Sequence, residues 1–146
     1  MTNSIRIGRS NTIKIEVNDD GEYIEINPDD KRFTLRLKGF INSLKSLEKE
    51  TAEKADAWAK LGNNATDDDA LDLLEYDAQV CENVKNSIDE LFGDNTCRKV
   101  FGEGVLPSLD NVREFINAIT PYFAEAVKSR RSNIGKRYSA NRRGGR

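Results

Sequence analysis

Histidine is absent from the 146 residues, and with it go the commonest general base and the commonest metal ligand. Only two cysteines are present, Cys81 and Cys97, too few for the disulfide framework of a small secreted domain. Both fall at positions of helical spacing and read as buried thiols. A zinc site would have to draw four ligands from those two thiols and carboxylates. No stretch approaches the roughly 18 consecutive apolar residues that cross a bilayer, and the opening MTNSIRIGRS lacks the apolar run of a secretory signal. These absences lead to the expectation of a cytoplasmic protein that uses no membrane, metal or cofactor.

Sites for chemistry are also lacking. Phe101-Gly102-Glu103-Gly104 has neither the spacing of a phosphate-binding loop nor a following Lys-Ser or Lys-Thr. Glu16 to Gly21 has part of a calcium-loop pattern, but Glu16 and Asn27 stand where such a loop places Asp and Glu, and a hairpin turn explains the segment better. Asp67-Asp68-Asp69 suits a helix start, where carboxylates complement the helix dipole. Nothing in one dimension pairs a nucleophile with a base. The chain reads as a non-enzymatic protein that works by binding another macromolecule.

Acidic residues vanish from Lys128 onward. Eight basic residues stand between Lys128 and Arg146, leaving a net charge of −10 on the other 127 residues against +8 on that segment. Arg130, Arg131, Lys136, Arg137, Arg142 and Arg143 are the candidate partner-binding residues, since a cationic segment can dock on an acidic surface or neutralise phosphates. The same cations would also suit a helix C-terminus. A pI near 5.3 argues against a large basic face for nucleic acid.

What is present is periodicity. Ile13, Ile15 and Val17 alternate with Lys14 and Glu16, a turn follows at Asn18-Asp19-Asp20-Gly21, and Tyr23 to Ile26 completes a β-hairpin. Ile5 and Ile7 allow a third short strand. Pro28 and Asp29-Asp30 end the sheet and open a helix. From about Phe33 to Leu61, the residues Leu37, Phe40, Ile41, Leu44, Leu47, Ala55, Trp58 and Leu61 recur at helical spacing, and Trp58 is assigned to the core with them. Gly62-Asn63-Asn64 breaks the helix, and Thr66 with Asp69 forms an acidic capping box. Leu71, Leu74, Ala78, Cys81, Val84 or Lys85, Ile88 and Leu91 then continue the pattern to Phe92-Gly93. Two long amphipathic helices with a short connection predict an antiparallel hairpin.

A short helical turn lies between Phe92-Gly93 and Phe101-Gly102. Pro107-Ser108-Leu109-Asp110 caps a further helix, whose apolar face runs from Val112 to Val127 and which Pro121 should kink or restart. The expected fold is α+β: strands over 1–30 and helices over 31–128 form one domain, and 129–146 is a flexible basic tail. With 37% hydrophobic and 33% charged residues, the core should be thin and the solvated face large.

The segment Ile88 to Gly102, IDELFGDNTCRKVFG, resembles a family of small tail-region proteins from siphophages and prophages of Gram-positive bacteria. Phe115 to Phe123 (FINAITPYF) and Lys136 to Gly144 (KRYSANRRG) strengthen the likeness, which spans about residues 88–144. The resemblance implies a tail assembly chaperone, which keeps the long helical tape measure protein soluble until tube subunits polymerise around it. It implies a phage tail protein, tape measure or tail tube, as partner, with homo-oligomers compatible, in the host bacterial cytoplasm. It brings no catalytic or ligand residues. The alternative reading is a phage-encoded inhibitor or ligand sponge acting against a host defence system, equally small and free of catalytic residues.

Overall fold

The computed structural model describes residues 2–5 and 12–144, with side chains as far as Arg130. Two strands, β1 (Ile13–Glu16) and β2 (Tyr23–Ile26), form an antiparallel hairpin. Its register sets Ile13 opposite Ile26 and Ile15 opposite Ile24, so one face carries four isoleucines. Ile24 and Ile26 are buried in the core, with Ile13 and Ile15 packed against it. The turn needs a positive φ at Gly21, which adopts +80°, a conformation that glycine reaches without steric cost. No third strand is seen at Ile5, which is exposed and in no regular element; Ile7 lies outside the described residues.

The body is helical: α1 (Lys31–Leu61), α2 (Asp67–Phe92), α3 (Thr96–Phe101) and α4 (Leu109–Gly144). The starts of α1, α2 and α4 carry the side-chain caps that their sequences promise, whereas α3 follows Asn95 without one. The Asp30 carboxylate accepts from the N–H groups of Arg32 and Phe33 at 3.0 and 3.2 Å. Thr66 and Asp69 satisfy each other's backbone N–H reciprocally. Ser108 Oγ accepts from the Asn111 N–H. Such caps are worth about 1 kcal/mol each. Gly62 and Gly93 end α1 and α2 at positive φ, and a short 3₁₀ turn, Gly62–Asn64, joins the two helices. At about 1.5 Å per residue, α1 is about 46 Å long, much longer than the core beside it is deep.

That core lies at one end of the α1/α2 hairpin. Leu37 and Leu44 from α1 and Val80, Val84, Ile88 and Leu91 from α2 are buried there with Cys97 of α3 and Val112, Phe115, Ile116 and Ile119 of α4. Val84 rather than Lys85 is thus the inward residue. Four phenylalanines from three helices link the elements: Phe33 meets Phe92 edge-on and stacks on Phe123, while Phe115 takes Phe92 edge-on at a ring-centre distance of 5.3 Å. Such pairs add about 0.5–1.5 kcal/mol each beyond burial.

The helix α4 runs antiparallel to α1. Arg113, near its start, holds Glu48 through two guanidinium nitrogens, and Arg130 pairs with Asp29 just before α1. Pro121 does not divide α4. The carbonyl that loses its donor is that of Asn117, at an exposed position, so water can replace the missing N–H. The backbone of α4 also continues as helix through 129–144, so what marks this segment off is its composition and not a change of conformation at residue 129.

The outer part of the hairpin differs from the periodicity reading. Ala55, Trp58 and Leu61 on α1, and Leu71, Leu74 and Ala78 on α2, are exposed, with Leu71 and Leu74 each 62% accessible. Helical spacing places these residues on stripes, but α4 begins at Leu109, beside Thr51 and Ala55, and does not cover the hairpin beyond that level. Trp58 is therefore not a core residue.

Candidate functional site

The groove that α4 occupies along the lower hairpin stays open above its first turn. Ala52 and Ala55 of α1 form one wall, Asp77, Val80 and Cys81 of α2 the other, and Ser108 to Asp110 close the lower end. Small residues on α1 keep the groove wide, and its volume is about 420 Å³. Trp58 and Leu61, about two-fifths exposed, follow toward the connecting turn.

Two polar atoms at this groove have no hydrogen-bond partner among the described residues, although both are shielded from solvent: Thr51 Oγ1 and Asp77 Oδ1. Unpaired buried polar atoms are uncommon in folded proteins because each costs its desolvation. The groove thus combines apolar walls with two unpartnered oxygens, Thr51 Oγ1 and Asp77 Oδ1, beside the polar groups of Glu48, Ser108 and Asp110. The Cys81 thiol, half-buried beside them, is held above its usual pKa by burial and then by the charge of Asp77. A raised pKa keeps it protonated and weakly nucleophilic. Cys97 is more inert still: burial, with the Asp89 carboxylate next to it, pushes its pKa up to about 12. Asp89 meanwhile accepts from the Cys97 N–H at 2.9 Å, which ties α3 to the end of α2.

The basic candidates stand elsewhere. Arg130 is engaged with Asp29 at the opposite end of α1, where both side chains are about half exposed. The side chains of Arg131, Lys136, Arg137, Arg142 and Arg143 lie outside the described residues. Because α4 is antiparallel to α1, the backbone that carries these five leaves the molecule at the pole away from the hairpin tip. The structure does not bring them to the groove.

Glu16 ends β1 and the residues after it, as far as Gly21, form the hairpin turn, locked by the Asn18 carboxamide, whose oxygen accepts from the N–H groups of Asp20 and Glu22. Asp67, Asp68 and Asp69 form the first turn of α2. Among the described residues, no group of three or more His, Cys, Asp or Glu side chains is placed to hold a metal ion. No helix among them is long and apolar enough to cross a membrane.

A family model matches residues 20–146, described as a family of unknown function (DUF6673). The chain belongs to this family. β2 and all four helices fall within the family match, and β1 precedes it. No curated protein and no solved structure matches the chain.

Periodicity did not point to the groove, because a stripe of apolar residues reads the same whether or not another element covers it. The usable signal was the small-residue run Ala52, Ala55 and Ala59 on α1, which marks where a second helix can approach closely.

Proposed function

We propose that this protein is a non-enzymatic binding protein that receives an amphipathic helix of a partner in the open upper groove of the α1/α2 hairpin. The observation that carries this reading is the early start of α4: a helix already packs along the lower groove, and the same groove continues unfilled above it. A partner helix laid there would bury Trp58 and Leu61 and offer donors to Thr51 and Asp77. Helix-in-groove docking of this kind is read by anchors three and four residues apart.

The resemblance over residues 88–144 supports a tape measure protein as that partner. A tape measure protein is a long helical chain whose apolar surface lacks its tube before assembly, and a tail assembly chaperone must cover that surface reversibly. Moderate, partly polar grooves suit a reversible contact better than a sealed apolar interface. On this reading the protein works in the host bacterial cytoplasm during tail morphogenesis.

The test is co-expression with the tape measure protein of the same phage or prophage. The expected result is a soluble complex that copurifies with this chain, and its loss in the Ala55→Glu, Trp58→Glu double variant. Both positions are exposed, so the variant should retain native circular dichroism. A tape measure that stays insoluble beside the wild-type chain overturns the reading. Capture of a nucleotide messenger or a host defence enzyme by the purified chain would replace it with the inhibitor reading.

A further inference from the structure

The exposed upper part of α2, beyond the level that α4 covers, is apolar and acidic together. Leu71, Leu74 and Ala78 recur at three and four residues, and Asp67, Asp68, Glu75 and Glu82 interleave with them, all exposed. From Gly62 to Val84 the chain has seven acidic residues and no basic one. Among the described residues, Asp67, Asp68, Glu75 and Glu82 make no ion pair. Two leucines left 62% exposed on a charged helix are an unpartnered face, and the surrounding carboxylates select a cationic occupant.

The same chain contains such an occupant. Lys128 to Arg146 has eight basic residues, no acidic one, and Ile134 and Tyr138 as large apolar groups. Geometry decides whose segment can reach the acidic face. Arg130 sits level with Asp29 at the foot of α1, whereas the tip follows Leu61, about 46 Å away along the helix. Continuing as helix to Gly144, α4 adds about 21 Å in the direction away from the tip. The backbone of the basic segment, as far as Gly144, and the acidic face thus extend toward opposite poles of one molecule.

We propose that the acidic, leucine-bearing upper face of α2 docks the basic C-terminal segment, 128–146, of a second copy of this chain, head to tail. The contact is heterologous, because the surfaces that meet are different, so copies add in a row or close a ring. Complementary charges steer the encounter, and the leucines provide the apolar contact that holds it. This inference does not rest on the groove reading above: Leu71, Leu74 and Ala78 do not line the groove, and the test is made on the purified chain alone.

Sedimentation of the full chain as a function of concentration and salt tests it. The expected result is a mass that rises with protein concentration at low salt, with association weakened at least about tenfold between about 0.01 M and 1 M salt, over which the screening length falls from about 30 to about 3 Å. Truncation after Arg130, and separately Leu71→Lys with Leu74→Lys, should each give a monomer. Mixed, these two variants should form a one-to-one complex and nothing larger, because one retains only the tail and the other only the face. If the leucine variant loses helicity, Glu75→Lys with Glu82→Lys carries the same expectation. A wild-type chain that is monomeric throughout at low salt, a truncated chain that still associates, or a mixture that stays monomeric overturns the proposal.

Discussion

Asn18, in the turn of the β-hairpin, donates through Nδ2 to the backbone carbonyl of Lys99 in α3, 3.1 Å away and 81 residues later in the chain. Its Oδ1 meanwhile accepts from the N–H groups of Asp20 and Glu22 at 3.0 and 3.2 Å. One side chain thus shapes the turn and fastens the hairpin to the helical body. Asn18→Ala should cost about 1–3 kcal/mol, because it leaves the Lys99 carbonyl and two N–H groups without their partner. Thermal unfolding followed by circular dichroism should show a fall of several degrees. An unchanged midpoint would mean that water replaces the amide without loss.

Beside it, Arg98 holds Glu22 through two nitrogens, at 3.2 and 2.8 Å. The guanidinium keeps the Glu22 carboxyl below its usual value of 4.5. A carboxyl whose pKa is lowered by folding contributes stability that is present above its unfolded value and lost as pH falls through the folded one. Stability should therefore decline below about pH 4.5, and Glu22→Gln should flatten part of that decline. Urea midpoints across the acid range measure this. Parallel curves for the two proteins would remove Glu22 from the acid sensitivity.

The covered and uncovered parts of the two long helices should respond oppositely to charge. Leu44→Asp and Ile88→Asp each place a carboxylate where the side chain is 1% or less exposed, and an unpaired buried charge is too costly to keep the fold. Leu71→Asp, at 62% exposure, should stay within about 0.5 kcal/mol of the parent. Circular dichroism of the three variants checks this, and an unfolded Leu71→Asp would show that the upper face of α2 packs in solution.

The thiols should separate by accessibility. Alkylation in the native state should modify Cys81 first and faster as pH rises, while Cys97, with its pKa near 12 and 1% exposure, waits for unfolding. Peptide mass spectrometry after timed alkylation resolves the two sites. Rapid native labelling of Cys97 would show that α3 opens from the core.

Removal of residues 131–146 keeps the Arg130–Asp29 pair, and even the loss of that exposed pair should cost no more than about 1 kcal/mol. The truncated chain should melt within about 4 °C of the full one. A larger fall would mean that the C-terminal turns of α4 pack on the body.

Local order was legible in the sequence because its causes are local. The Asn18–Gly21 turn, the Asp30, Thr66 and Ser108 caps, the glycine stops after Leu61 and Phe92, and the hairpin of two long helices each depend on residues within about four positions of one another, the range of backbone and capping hydrogen bonds. Sequence alone also determined the charge segregation, which is a matter of composition. Helical spacing could show which residues share a face of α1 or α2, but burial of that face needs a covering element, and only the tertiary structure decides where α4 begins and which way it runs. Its start at Leu109 buries Leu44 and Ile88 and leaves Trp58, Leu71 and Leu74 to solvent. Its antiparallel course along α1 takes the basic segment to the far pole, because Arg113 finds Glu48 and Arg130 finds Asp29, pairings across 65 and 101 residues that no periodicity encodes.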